Sequence, residues 1–417
     1  MKTLFSDMKG NRKSLLVLLL LFCSILPSFA CTSLIISGKK SADGRPLMLK
    51  HRDTGKLDNR VQWFRGPVYS FIGLVNSDTK GGEVWTGTNT SGFSIMNTAS
   101  YNIKDDDVPA EKMDREGELM FKALGICASV ADFEKLLEEY ERPMGVEANF
   151  GVIDANGGAA YFEVNNHSWV KYDVNEDPKG YRVVTNFSES GRYEDYMGYE
   201  RYLTASAIME EIDDSFGGGT LDITHRDLFW RLSRSYRHEF IGMDYLRDYK
   251  ELKEKHGFNG ILVDQDFIPR RSTSASIVIE GVAPGQNPMN TVMWTIIGYP
   301  ASSVYLPLLV MDEDTLPHFV KSQDGGNAEI CDIALAAKNE RIFRFNISNG
   351  RNYLDLDNVI SMLTDCSALE YSMSLEWETL YSSWISGKKG NDEFKSDYAT
   401  LMNSYFYDYK ALFGQNE

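Results

Sequence analysis

Residues 31–53 read C-T-S-L-I-I-S-G-K-K-S-A-D-G-R-P-L-M-L-K-H-R-D. Leu34-Ile35-Ile36 is a short apolar run, Asp43-Gly44 a turn signal, and Leu47-Met48-Leu49 a returning apolar run. The stretch predicts a β-hairpin with Cys31 at its start. The residues before it give that cysteine its interest. Lys2, Lys9, Arg12 and Lys13 come first, an apolar run from Leu15 to Leu26 follows, and Pro27 leads into Ser28-Phe29-Ala30. Charged, apolar and small residues in that order form a secretory leader, and the apolar run falls short of the roughly 20 residues of a permanent span. Cleavage after Ala30 is expected to make Cys31 the first residue. A lipoprotein leader also ends at a cysteine, but it usually carries a large aliphatic residue where this chain has Ser28.

Outward from the hairpin, strand signals occur at Val84-Trp85 and Phe93–Met96, separated by an Asn89-Thr90-Ser91-Gly92 turn, and at Phe150–Ile153, Ala159–Val164, Arg182–Thr185, Ile261–Val263, Ser276–Glu280 and Met293–Ile297. Helices are expected over Lys112–Gly125, over Val130–Tyr140 with Ser129 and Asp132 as a capping start, and over Tyr199–Ile212. Two groups of strands with helices between them predict an α+β layered fold. Past Met311 the pattern turns helical, and Phe394, Tyr398, Leu401, Met402, Tyr405, Tyr409 and Leu412 form an i, i+3/i+4 packing stripe. The organisation read from the chain is a leader over 1–30, a main domain over 31–311, and a helical region over 312–417 packed on that core. Cys127 is expected in a helix as a core thiol; outside the cytosol disulfides can form among Cys127, Cys331 and Cys366, but their wide spacing predicts no particular pairing.

With 60 acidic against 43 basic residues the net charge is −17, so nucleic acid and anionic membrane surfaces are poor partners. The chain has no H-E-x-x-H, no C-x-x-C pair, no G-x-S-x-G elbow and no phosphate-binding loop. Gly217-Gly218-Gly219 lacks the Lys-Ser or Lys-Thr that such a loop needs, and the six histidines show no ligand spacing. No metal or cofactor is expected. A nucleophilic thiol needs a base, and an N-terminal cysteine carries one: an α-amine has a pKa of about 7.7 to 8.0. A small-molecule amide is the expected partner, with no integral membrane segment after cleavage.

The opening from Cys31 to Asp53 resembles that of the cysteine N-terminal-nucleophile hydrolases. The penicillin acyltransferase and carcinine-hydrolase-like members, relatives of choloylglycine hydrolases and penicillin V acylases, are the most similar. Three later segments follow in the same order: G-T-N-T-S-G-F-S-I-M-N-T with Asn97, R-V-V-T-N-F with Asn186, and Y-E-R-Y-L-T-A with Arg201. The similarity extends over roughly residues 31–308 and fades beyond. It implies a four-layer αββα sandwich with a helical C-terminal extension. Cys31 would be the nucleophile, with Asp53 near its amine. Asn97 and Asn186 would orient the amine and line the oxyanion hole, and Arg201 would balance charge. Lys50 stands where bile-salt hydrolases carry arginine, with Arg52 beside Asp53; either cation would serve the substrate. Lys lacks the bidentate fork of Arg, which counts against bile-acid conjugates.

The expected activity is an exported, periplasmic or extracellular, thiol amidase or acyltransferase working through an acyl-Cys31 intermediate. A related cysteine dipeptidase is the second reading. A lipid-anchored binding protein with acylated Cys31 is the third.

Overall fold

The computed structural model describes residues 30–414, apart from 194, 265, 323–324 and 346–351. The expected leader, save for Ala30, lies outside the described residues.

The hairpin forms where the sequence places it. Strands β1 (Cys31–Ile36) and β2 (Leu47–Asp53) pair antiparallel, with Cys31 opposite Arg52 and Ile36 opposite Leu47. Between them Gly44 takes a φ of 77°, which glycine adopts without a Cβ penalty. Asp43 Oδ1 accepts from the Arg45 amide at 3.0 Å. Five strands then lead on in sequence: β3 (Asn59–Arg65), β4 (Ser70–Asn76), β5 (Thr86–Asn89), β6 (Ser94–Ala99) and, after two helices, β7 (Ala148–Ile153). With β8 (Ala159–Val164) and β9 (Trp169–Asp173) they make a seven-stranded antiparallel sheet in chain order. The other sheet has six strands in the order β10-β1-β2-β11-β12-β13, where β10 is Tyr181–Val184, β11 Thr273–Glu280, β12 Val292–Ile297 and β13 Leu306–Leu309.

The two sheets stack, β1 packing on β6 and β8 and β2 on β7. Helices α1 (Glu116–Ile126) and α2 (Val130–Glu139) cover the outer face of the seven-stranded sheet, burying Leu119, Leu124, Phe133 and Leu137 there. Helix α3 (Tyr199–Ser215) lies on β10 and β1, and the short turn from His225 to Ser233 lies on β11. The order of layers is thus helix, sheet, sheet, helix. Because both faces of the six-stranded sheet are covered, β1, β2 and β11 are buried along their whole length, and their polar residues have no solvent to face.

Local signals account for several boundaries. Asn89 Oδ1 accepts from the Ser91 and Phe93 amides at 3.0 and 3.1 Å, closing the expected turn. Its Nδ2 donates to the carbonyls of Leu124 and Cys127, both at 2.8 Å, pinning the end of α1 to the sheet. Cys127 is therefore an extended residue just past the helix, not within it, although it is buried as expected. The strand expected at Val84-Trp85 begins two residues later, at Thr86. The helix expected from Lys112 starts at Glu116, since Asp114 has a left-handed φ of 64° that interrupts a right-handed helix. Ser129 caps α2, its side chain accepting from the Asp132 amide at 3.1 Å.

The C-terminal helices α4 (Glu329–Ala337), α5 (Leu356–Ile385) and α6 (Asn391–Phe413) belong to the same hydrophobic cluster as the six-stranded sheet. The terminal stripe is buried at Phe394, Tyr398, Leu401, Met402, Tyr405 and Tyr409, whereas Leu412 is 46% exposed and Phe413 takes the inward place. One ion pair fixes α5. Glu370 receives Arg234 Nη2 at 2.6 Å and Nη1 at 2.8 Å, both side chains being at most 1% exposed. Arg234 Nε and Nη2 donate on to the carbonyls of Pro300 and Ser303 at 2.9 and 3.1 Å. Removing one partner strands a buried charge, which costs about 3–5 kcal/mol, whereas an apolar replacement of both is close to neutral. Glu370→Leu is therefore expected to lower the midpoint of chemical denaturation sharply, and Arg234→Met with Glu370→Leu to restore part of it, since the Pro300 and Ser303 carbonyls and the Tyr305 amide still lose a partner. An unchanged midpoint in the single variant would remove the pair from any role in holding α5.

Candidate active site

Side chains alternate along a strand, and residues directly opposite on paired strands share a face. Cys31 and Ser33 on β1 thus face the same way as Arg52 and Lys50 on β2. That way is inward, between the sheets, since Tyr161 on β8 donates to Ser33 Oγ at 3.0 Å. Thr32 faces outward, where Arg201 Nη1 on α3 reaches its Oγ1 at 3.1 Å. The thiol therefore lies in the inter-sheet layer, at the end of a central strand, with Cys31 7% exposed.

The backbone of Cys31 is held by side chains. β10 pairs with β1 as far as Val184 opposite Ser33, so continuing the register by two residues sets Asn186 opposite Cys31. No strand ladder forms there. Asn186 Oδ1 accepts from the Cys31 nitrogen at 2.8 Å, and Arg201 Nη1 donates to the Cys31 carbonyl at 2.5 Å. Arg201 Nη2 also donates to Asn186 Oδ1 at 2.9 Å, while Asn186 Nδ2 donates to the Ala99 carbonyl at 2.9 Å. Asn186 is consequently an acceptor toward Cys31, and its NH2 group is turned toward Ala99. In the described chain this nitrogen is the amide following Ala30, which is itself 1% exposed.

Asn97, on β6 of the other sheet, meets the hairpin through Lys50. Lys50 Nζ donates to Asn97 Oδ1 at 2.6 Å and to the Trp85 carbonyl at 2.7 Å. Burial pushes the Lys50 ammonium down to about 7, against the pull of Cys31. Arg52 is equally enclosed. It donates to Asn59 Oδ1 at 2.5 Å and Asn76 Oδ1 at 2.9 Å, and its guanidinium sits 4.9 Å from the Trp85 ring centre. Burial lowers it to about 10, with Cys31 and then Glu83 opposing. Both cations thus contact neutral amides and carbonyls.

Asp53 points to the outer face of the sheet, away from the thiol and toward Arg201. Its Oδ1 accepts from Thr273 Oγ1 at 2.6 Å, and its Oδ2 lies 3.2 Å from Arg270 Nε. Burial raises its pKa to about 6, with Arg270 and then Arg201 pulling it down. His51 stands beside it, Nε2 3.1 Å from Thr273 Oγ1, and burial drives that ring down to about 3, so it is a neutral imidazole. The hydrogen of the Cys31 nitrogen goes to Asn186 and not to Asp53. The structure thus gathers Cys31, Asn186 and Arg201 by direct hydrogen bonds, Lys50 with Asn97 on the inner face, and Asp53 on the outer one.

Sequence reasoning missed Arg270, Thr273, Asn59 and Asn76. Arg270 just precedes β11 and Thr273 opens it, in the run R-R-S-T-S-A-S, whose polar residues enter an otherwise apolar buried strand; that mismatch was the available signal. Asn59 and Asn76 pair across β3 and β4, and nothing in their spacing from Arg52 announces them. Among the described residues no three His, Cys, Asp or Glu side chains cluster as metal ligands do, and no helix is long and apolar enough to cross a membrane.

No protein-family model matches the chain, and no curated protein matches it. Similar solved structures include the Caenorhabditis elegans ortholog of N-acylethanolamine-hydrolyzing acid amidase, 15% identical, covering 62% of this chain and 93% of that one, with a TM-score of 0.40. A mutant conjugated bile acid hydrolase from Clostridium perfringens is 10% identical over 67% of this chain and 92% of its own, with a TM-score of 0.37. Penicillin V acylase from Agrobacterium tumefaciens is 12% identical over 64% and 83%, with a TM-score of 0.35.

Proposed function

We propose that the chain is an exported amidase in which Cys31, once the residues before it are removed, supplies both the nucleophile and its base. The observation that carries this reading is the Cys31 nitrogen held at 2.8 Å by Asn186 Oδ1 outside any strand ladder. Cleavage of the Ala30–Cys31 peptide would turn that nitrogen into an amine without breaking a sheet hydrogen bond. The nearby Arg201 cation disfavours the ammonium form and keeps more of the amine neutral.

The chemistry then follows in balanced steps. The amine takes the thiol proton as the sulfur attacks the amide carbon, and the carbonyl oxygen becomes an oxyanion. Neutral donors stabilise that charge, each about 2.7 to 4 kcal/mol where such donors have been removed; Asn97 is of this kind, and the cations of the inner face favour the oxyanion by their charge. The ammonium returns its proton to the departing amine, leaving a thioester on Cys31. Water, or a second amine, resolves it. A carboxylate on the inner face would oppose the oxyanion, and Asp53 lies on the outer one.

Two features favour this over a lipid-anchored protein. Cys31 is 7% exposed, and its side chain enters the inter-sheet layer on the face that carries Lys50 and Arg52, a charged setting that suits a reacting thiol better than a diacylglyceryl chain. Ala30 is buried as well, so an uncleaved chain fills its own site.

Cys31→Ala is expected to lower turnover of amide substrates by about 10⁴-fold or more while leaving the melting temperature near that of the parent; retained turnover would refute the nucleophile. A chain that keeps Ala30 before Cys31 is expected to be inactive on the same substrates, and activity in that form would mean the α-amine is not the base. Intact mass of the exported protein should correspond to a chain beginning at Cys31 with a free amine, and a lipid adduct there would sink the mechanism. N-acyl amides, penicillin V, β-alanyl amines, bile-salt conjugates and dipeptides assayed side by side distinguish an acyl-amide hydrolase from a dipeptidase.

A further inference from the structure

We propose that Lys50 is a positioning residue for acylation: it clamps the Asn97 side chain so that Asn97 Nδ2 faces the oxyanion formed when Cys31 attacks. This rests on the reading of Cys31 as nucleophile and deepens it.

The argument begins with donors and acceptors. An amine or ammonium nitrogen can only donate to the Asn97 and Trp85 groups it touches. The atom of Asn97 that lies 2.6 Å from Lys50 Nζ must therefore be the oxygen. A planar amide with its oxygen held in this way presents its nitrogen to the other side, and Asn97 Nδ2 makes no hydrogen bond to any described residue. Asn186 is less suited to that part, because its Oδ1 already holds the Cys31 nitrogen and its Nδ2 is turned to the Ala99 carbonyl. Lys50 needs two N–H groups for Asn97 and Trp85, so it holds them in either protonation state. Its cationic form adds charge on the face that carries Cys31.

The same contacts argue against Lys50 as a substrate ligand. Its Nζ is committed to two acceptors at 2.6 and 2.7 Å, and the residue is 2% exposed. Reaching a substrate would leave a buried amide oxygen and a buried carbonyl without their donor. Lys50 acts on the reaction through Asn97.

The test is a double-mutant cycle on the cleaved enzyme, using an amide that it turns over. Lys50→Met is expected to lower kcat by about 10²-fold, the range seen when an oxyanion donor is lost, with KM within about three-fold. In an Asn97→Ala background, Lys50→Met should add less than about three-fold, since the group it positions is gone. Lys50→Arg, which keeps donors and charge, should recover most of kcat. A raised KM with kcat preserved, or losses that multiply in the double variant, would overturn the proposal. If Lys50→Met does not fold, Lys50→Ala, which likewise has no side-chain donor, takes its place in the cycle. Alkylation of Cys31 with iodoacetamide separates the two levels. If alkylated parent enzyme still turns over, the nucleophile reading fails and takes the role of Lys50 with it. If alkylation abolishes turnover and the cycle is additive, only the role of Lys50 fails.

Discussion

The structure turns on a strand that ends two residues short of pairing with Cys31. β10 stops at Val184, and the two backbone groups of Cys31 that would have met residue 186 are taken up by an asparagine oxygen and an arginine nitrogen. A buried amide and carbonyl must find partners, and here side chains provide them. A side chain can hold an amide, an amine or an ammonium in one place, whereas a β-ladder specifies a peptide. The fold thereby fixes the position of the Cys31 nitrogen while leaving open what that nitrogen is bonded to on its other side.

The second constraint is the alternation of β1 and β2. Cys31, Lys50 and Arg52 share the inner face, and Asp53, His51, Arg201, Arg270 and Thr273 share the outer one. Positive charge is thus gathered on the thiol side among neutral amides, and the carboxylate is kept beyond the sheet between two guanidiniums. Burial opposes the charges of Lys50, Arg52, Asp53 and Arg201, lowering Lys50 to about 7 and raising Asp53 to about 6. Such strongly shifted groups concentrate where chemistry is done. The Arg234–Glu370 pair is a different case, because it sits far along the chain from Cys31 and serves to bind α5 to the core.

Much of this was legible in the residues. Asp43-Gly44 marked the hairpin, the Asn89 turn marked the junction with β6, and the R-V-V-T-N-F block placed Asn186 just past a strand. These signals are local, each a few residues long with its own backbone chemistry. What escaped was long-range. Lys50 and Arg52 read as cations free to meet a substrate, yet each is enclosed by asparagines from the opposite sheet, and cross-layer pairing leaves no trace in spacing. Thr273, 220 residues from Asp53 in sequence, has the same difficulty. The strands β3, β4, β9 and β13 were not resolved individually, since their mixed polarity or short length gives weak alternation.

The remaining thiols have their own consequence. Cys127, Cys331 and Cys366 are buried, unpaired and pushed up to about 12 by burial, so at neutral pH they carry almost no thiolate and are closed to reagents. A chain that begins at Cys31 therefore behaves, toward a small alkylating probe, as a protein with a single cysteine. On the proposed role of Cys31, the number of labels taken up per chain would count competent sites directly, with no background cysteine to engineer away.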